Sequence, residues 1–230
     1  LVDIESDRKH PQKKHRPIAS GQVLKPTAQG VGIGLVVIAL PLAYLLAPSF
    51  ALISLLYLSF NLAYSLWFKH VPLLDVLVLA SFYVLRVQAG VSLIEVKRFS
   101  PWLYVVTTLF ALFIGLGKRR AELAMLAKEA NQHRSVLDGY SIDLLDQLIT
   151  IVSGTTIVSY SLYTFSAPNL PENHVMMLTI PFVLYGLFRY LYLIQIGKGG
   201  APEEIAFTDR PLQTSIILWS MSILVIFYFF

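Results

Sequence analysis

The sequence predicts an all-α protein, a polytopic bundle of membrane-spanning helices. Three observations predict it: seven long apolar stretches, a scarcity of charge, and a one-sided distribution of the charge that remains. Of 230 residues, 56% are hydrophobic and 14% charged, against about 25% charged in a soluble globular domain. A membrane-crossing helix takes about 20 mostly apolar residues. The stretches 31–48, 50–68, 72–94, 101–117, 141–165, 174–196 and 211–230 are of that order. Only helices and closed barrels satisfy their backbone in lipid, and runs this long read as helices.

The spans are separated by turn formers or by charge: Pro48-Ser49, Lys69 to Val71, Lys97 to Ser100, the 118–139 stretch, Pro168 to Asn173, and Gly197 to Arg210. Pro41 and Pro181 fall within spans and predict kinks there. No internal repeat or low-complexity segment interrupts the chain, so 1–230 reads as one transmembrane domain, with 118–139 a loop or helix that covers a site. The N-terminus carries no signal-peptide pattern and begins at Leu1, as if inside a longer protein.

Seven spans place alternate connections on opposite sides. The connections 1–30, 69–71, 118–139 and 197–210 hold fourteen of the eighteen basic residues, and the other set holds only Lys97 and Arg98. By the positive-inside rule the basic set faces the cytoplasm. The sequence pI of 9.2 is then a topology signal, and nucleic acid is not an expected partner. With no cysteine, disulfides, thiolate metal sites and a cysteine nucleophile are excluded. Carboxylates amid the basic residues are not explained by orientation. Asp3, Glu5 and Asp7 precede one basic run, and Glu122, Asp143 and Asp146 lie in or beside another. Mixed clusters of this kind suit a metal-bound anion.

Residues 1–21 read LVDIESDRKHPQKKHRPIASG. On a helix Asp3 and Asp7 share a face about 6 Å apart. Paired carboxylates suit Mg²⁺, which also takes substrate phosphates; a solvated helix end with charges of both signs fits the spacing equally well. Glu5 faces elsewhere and is a weaker ligand. Arg86 stands inside a span, where burial of a charge is costly enough to imply a cavity role, snorkelling being the alternative. Arg189, among Tyr185, Tyr190 and Tyr192, reads as structural. Tyr140, Asp143 and Asp146 recur at three-residue spacing, as on one helix face. They would line the mouth of a site or cap the start of a span.

The N-terminal stretch resembles the first aspartate-rich motif of the UbiA superfamily, NDxxDxxxD followed by an Arg-Pro and Ser-Gly signature. Asp3 and Asp7 match its last two aspartates, and Arg16, Pro17, Ser20 and Gly21 match the signature. Tyr64-Ser65 with Lys69-His70 is similar to that family's tyrosine–lysine element. Asp75 with Tyr83, Arg86, Ala89 and Gly90 is similar to its arginine-bearing helix. The resemblance implies a UbiA-type bundle of about nine spans, seven of them in this chain, and Mg²⁺ held by Asp3 and Asp7.

One departure refines the expectation. A second aspartate-rich motif belongs after the fourth span, but the chain reads GLGKRRAEL over 115–123, with Lys118, Arg119 and Arg120 beside the lone acid Glu122. More cations and fewer metal-binding carboxylates suit direct phosphate contact; positive-inside anchoring is the plainer alternative. With the His-Pro and Lys-Lys-His-Arg-Pro run and the C-terminal Pro202-Glu203-Glu204 and Asp209-Arg210-Pro211-Leu212, this resembles the phosphoribosyltransferase branch of the superfamily. That resemblance implies Mg-dependent transfer of 5-phosphoribosyl from phosphoribosyl diphosphate to decaprenyl or another polyprenyl phosphate. It also implies release of diphosphate, a role in cell-wall arabinan synthesis, and an active site on the cytoplasmic side of the inner (plasma) membrane; a homo-oligomer stays open. The implied catalytic residues are Asp3, Asp7, Arg119, Arg120 and Glu122. The implied substrate-binding residues are Lys13, Lys14, Arg16, Ser20, Tyr64, Lys69, Arg86, Lys118, Tyr140 and Asp143. A conventional prenyltransferase with an aromatic acceptor is the main alternative, favoured by a second DxxxD that the chain lacks. An ion-coupled transporter would favour inverted repeats, also absent.

Overall fold

The computed structural model of the chain describes residues 2, 4–9, 13–94, 100–126, 137, 139–168, 170–171 and 173–229, with the backbone alone at 6, 9, 13 and 126. All regular structure among them is helical: α1 (Ile4–Lys9), α2 (Lys25–Leu46), α3 (Pro48–Leu66), α4 (Leu74–Val91), α5 (Pro101–Leu126), α6 (Ile142–Ser166), α7 (Ile180–Gln195), α8 (Pro202–Thr208) and α9 (Arg210–Phe229). Seven segments are long and apolar enough to cross a membrane: α2 to α6, α9, and Val175–Gln195, in which a 3-10 turn leads into α7. These match the seven stretches read from the sequence.

Local chemistry sets several of the boundaries. Ala47 is extended and Pro48 opens α3, where a missing N–H costs nothing because the first helical donors have no partner anyway. The Ser141 hydroxyl accepts from the Leu144 N–H at 3.1 Å and caps α6, a contact worth about 1 kcal/mol. One expectation is corrected here. Pro181 does not kink a span; it lies in the first turn of α7, after the 3-10 turn, where proline is tolerated. Of the stretch expected as a loop or helix that covers a site, residues 118–126 are helical, since α5 continues unbroken to Leu126. A run without Gly or Pro between Lys118 and Leu126 gives the helix no reason to stop at the first charge. Of the remainder of that stretch, 127–136 and 138 lie outside the described residues.

The chain divides into two compact units. In the first, α2 packs on α3, and most of their large apolar side chains are exposed, as lipid rather than water would favour. In the second, α5 packs along α6, α7 against α6 and α9, and α8 against α5 and α9. Its core gathers Val76, Phe113, Leu145, Ile149, Leu187, Tyr190 and Ile205. Gly115 and Gly117 allow that packing: a Cβ on Gly115 would stand 2.7 Å from Val76, and one on Gly117 would run into the Tyr190 hydroxyl and the Pro202 ring. Several buried hydroxyls are satisfied within the second unit. Ser153 donates to the Ile149 carbonyl at 2.7 Å, and Tyr160 shares a 2.7 Å hydrogen bond with Thr179 while accepting from Trp219 at 2.8 Å.

Candidate active site

The first motif folds as a short helix and a turn. Asp3 lies outside the described residues. Asp7, on α1, accepts from Arg16 at 2.9 Å and is mostly covered. Arg8 bonds Glu5 at 3.1 Å on its own helix and donates to the Ala19 carbonyl at 3.2 Å, tying α1 to the turn. The Arg-Pro and Ser-Gly signature is that turn. The Ser20 N–H donates to the Arg16 carbonyl at 2.8 Å, and Gly21 turns the chain at φ 83°, a conformation that disfavours any residue with a Cβ. Ser20 spends its hydroxyl on the Pro17 carbonyl at 3.2 Å. Lys14 is exposed, and the Lys13 side chain lies outside the description.

Mg²⁺ characteristically takes one or two carboxylates and completes its shell with water and substrate phosphate. No group of three or more metal-ligating side chains occurs among the described residues. The single hard oxygen donor of Asp7, with Asp3 four residues before it, fits that sparse mode. Asp75 and Asp146 do not fit it, because both oxygens of each are already bonded, those of Asp75 to Arg119 and Tyr140 and those of Asp146 to Arg120, whereas the Arg16 contact with Asp7 is to Oδ2.

The second cluster is built around the end of α5. Arg119 Nε donates to Asp75 Oδ2 at 2.7 Å, and its Nη1 donates to Glu122 Oε2 at 2.7 Å. Asp75, in the first turn of α4, is wholly buried, and the Arg119 side chain is 5% exposed. Tyr140 donates its hydroxyl to Asp75 Oδ1 at 2.7 Å and accepts from the Leu73 N–H at 2.6 Å. Leu73 itself takes a positive φ of 68°, a conformation costly for a leucine and held by its surroundings. Burial, with the hydrogen bond to Asp75, pushes the Tyr140 hydroxyl well above its usual range, so it serves as a donor and not as a base.

Arg120 makes a two-pronged pair with Asp146 of α6, and Lys118 reaches Glu203 of α8 at 2.9 Å. Burial alone would raise the Glu203 carboxyl, but the Lys118 ammonium and a backbone N–H hold it below its usual 4.5. Further along, Arg189 holds Asp209 through two bonds of 3.1 and 2.9 Å. That guanidinium first, and the Leu212 N–H with it, keeps Asp209 below its usual 3.8.

Arg119, Glu122 and Tyr140 therefore share one network, flanked by Lys118 and Arg120. Asp143 is exposed in the first turn of α6, where a carboxylate complements the helix dipole. It does not share a helix face with Tyr140, because α6 begins only at Ile142. Arg86 stacks on Tyr83 of its own helix, 5.5 Å from the ring centre. Lys69 is buried in a 3-10 turn, and Tyr64 is half-buried near the end of α3. Sequence reasoning named Asp75, Asp146 and Glu203 but did not pair them with Arg119, Arg120 and Lys118. A usable signal was there for Asp75: an acid in an apolar span demands a cation.

Fold and charge pattern together define a multi-pass membrane protein with charged side chains gathered at the ends of its spans. The chain belongs to the UbiA prenyltransferase family, whose model matches residues 1–208. It is similar to the decaprenyl-phosphate phosphoribosyltransferase of Mycobacterium tuberculosis, with 32% identity over 94% of this chain and 71% of the relative. The protein of the same name from Corynebacterium glutamicum is 30% identical over 98% of this chain and 69% of its own length. For that of Mycolicibacterium smegmatis the figures are 32%, 99% and 74%.

Proposed function

We propose that this protein transfers 5-phosphoribosyl from phosphoribosyl diphosphate to decaprenyl or a similar polyprenyl phosphate. Similarity to proteins named for that lipid and that group supports the reading. The observation that carries it is the Lys118-Arg119-Arg120 run at the end of α5, where two flanking cations meet substrates rich in phosphate. An oxygen of the lipid phosphate bonds to C1 of the ribose as the C1–oxygen bond to diphosphate breaks, and the bonding pair leaves with diphosphate. A lipid phosphate is already ionised, so no strong base is needed. Lys118, half exposed, and Arg120, mostly buried beside Asp146, contact phosphate oxygens and stabilise charge on the leaving group. Lys13, Lys14, Arg16, Ser20, Tyr64, Lys69, Arg86 and Asp143 are further candidates for substrate contact. Asp3 and Asp7 would hold Mg²⁺, which when bound neutralises diphosphate charge. The reaction faces the cytoplasm at the inner (plasma) membrane and feeds cell-wall arabinan synthesis.

Offering the purified protein phosphoribosyl diphosphate with decaprenyl phosphate, or a prenyl diphosphate with hydroxybenzoate, tests the acceptor class. A labelled lipid from the first pair alone is expected. Prenylated hydroxybenzoate from the second would establish the conventional prenyltransferase instead.

A further inference from the structure

The two cations that the proposed reaction assigns to phosphate each face a carboxylate already, and the two pairs are built differently. Arg120 is 15% exposed and Asp146 28%, and both Asp146 oxygens bond the guanidinium. Lys118 and Glu203 are 52% and 42% exposed and meet through one bond of 2.9 Å to Oε1. The second oxygen of Glu203, Oε2, is itself buried and finds no hydrogen-bond partner among the described residues. A buried acceptor in that state carries a desolvation cost that the pair does not offset. The helix that bears Glu203 is held in place. The Tyr190 hydroxyl donates to the Gly200 carbonyl at 3.2 Å just before α8, the Pro202 ring packs against Gly117, and Ile205 is buried in the core. The part left to move is the Glu203 side chain.

Resting on the phosphoribosyl reading, we propose that a substrate phosphate displaces Glu203 from Lys118, so that Glu203 sets how tightly the site holds phosphate. Glu203 is then a positioning residue that acts through Lys118. A phosphate brings more negative charge and more acceptor oxygens to the ammonium than the carboxylate does. Water takes up the freed carboxylate at this half-exposed position, so the exchange strands no charge. Asp146 does not exchange in the same way, because its release would open a two-pronged and mostly buried pair. After transfer the order reverses, and Glu203 competes with the departing diphosphate for Lys118. Exposed ion pairs are weak, so the competition amounts to about two- to fivefold in affinity.

The experiment measures inhibition by inorganic diphosphate and the Michaelis constant for decaprenyl phosphate, both at fixed Mg²⁺. The proteins are wild type, Glu203→Gln, Lys118→Gln and the double variant, with melting recorded for each. Glu203→Gln is expected to tighten binding about two- to fivefold, of diphosphate if the exchanging phosphate is the donor's and of decaprenyl phosphate if it is the lipid's. In the Lys118→Gln background the same substitution should change neither. Glu204→Gln removes an equal charge from the exposed neighbour on α8 and should also change neither. Glu203→Ala leaves Lys118 no side-chain acceptor there; it should act at least as strongly, and it decides the matter if Glu203→Gln does not fold. Unchanged binding in the Glu203 variants would overturn the proposal. Weaker binding would overturn it as well, by showing that Glu203 holds Lys118 in its phosphate-binding position. An equal gain in the Lys118→Gln background, or from Glu204→Gln, would mark a general effect of charge and not an exchange. If wild-type protein transfers phosphoribosyl and one of these contrary results appears, this inference alone fails. If wild-type protein does not transfer phosphoribosyl, the functional reading fails and this inference with it.

Discussion

Replacing Arg119 with methionine removes a partner that bonds both Asp75 and Glu122. Asp75 is wholly buried, and its two oxygens bond Arg119 and Tyr140 at 2.7 Å each. Stripping one partner from a buried pair costs about 3–5 kcal/mol, because the remaining charge is left uncompensated. Tyr140 still donates to Asp75, so the lower end, about 3 kcal/mol, is expected. Against a total stability of about 5–15 kcal/mol, that is a large fraction. Converting Asp75 to leucine in the same protein removes the stranded charge. The double variant should therefore be at least about 2 kcal/mol more stable than additivity of the single variants predicts. SDS titration in mixed micelles, followed through the three tryptophans, measures all four proteins. An Arg119→Met variant within about 1 kcal/mol of wild type, or strictly additive effects, would show that the pair is not an energetic unit.

Other outcomes follow from the same geometry. Arg120→Lys should raise the Michaelis constant for phosphoribosyl diphosphate about tenfold, since lysine keeps the charge but loses the two-pronged pair with Asp146 that fixes the group; steady-state kinetics read this. Glu203 and Asp209 are both held below their usual values, so their contribution to stability is complete above about pH 4.5 and disappears as pH falls through the lowered values. Asp209→Asn should lower melting near neutrality, and the gap from wild type should close as pH falls, which flattens the acid limb of a melting-versus-pH curve. Gly117→Ala should destabilise the second unit by about 1–3 kcal/mol, because its Cβ meets Tyr190 and Pro202, and thermal denaturation would show it.

The spans were legible because each is a long apolar run broken by charge or proline, and lipid leaves the backbone no other option. Helix ends were less so. Nothing in Lys118-Arg119-Arg120 distinguishes a helix that stops at the membrane surface from one that runs past it, and only the continuation of α5 to Leu126 resolves that. Pro181 illustrates the same ambiguity, since a proline within an apolar run can kink a helix or begin one. At the site, the residue types were legible and their partners were not. Arg119 and Glu122 are three apart on one helix, but Asp75 lies 44 residues away in sequence and Asp146 lies 26 from Arg120. Such pairings depend on how α4, α5 and α6 pack, which periodicity does not encode. Glu203 was equally hidden, sitting on a short helix within what reads as a connecting loop.

The central claim is that the ribose moves with its 5-phosphate while diphosphate departs. Supplying phosphoribosyl diphosphate labelled either at the 5-phosphate or at the terminal diphosphate phosphorus, together with decaprenyl phosphate, separates those fates in one extraction. The account predicts that the 5-phosphate label passes into the lipid phase and the diphosphate label stays in water. Diphosphate label in the lipid, or no lipid label from either donor, would contradict it.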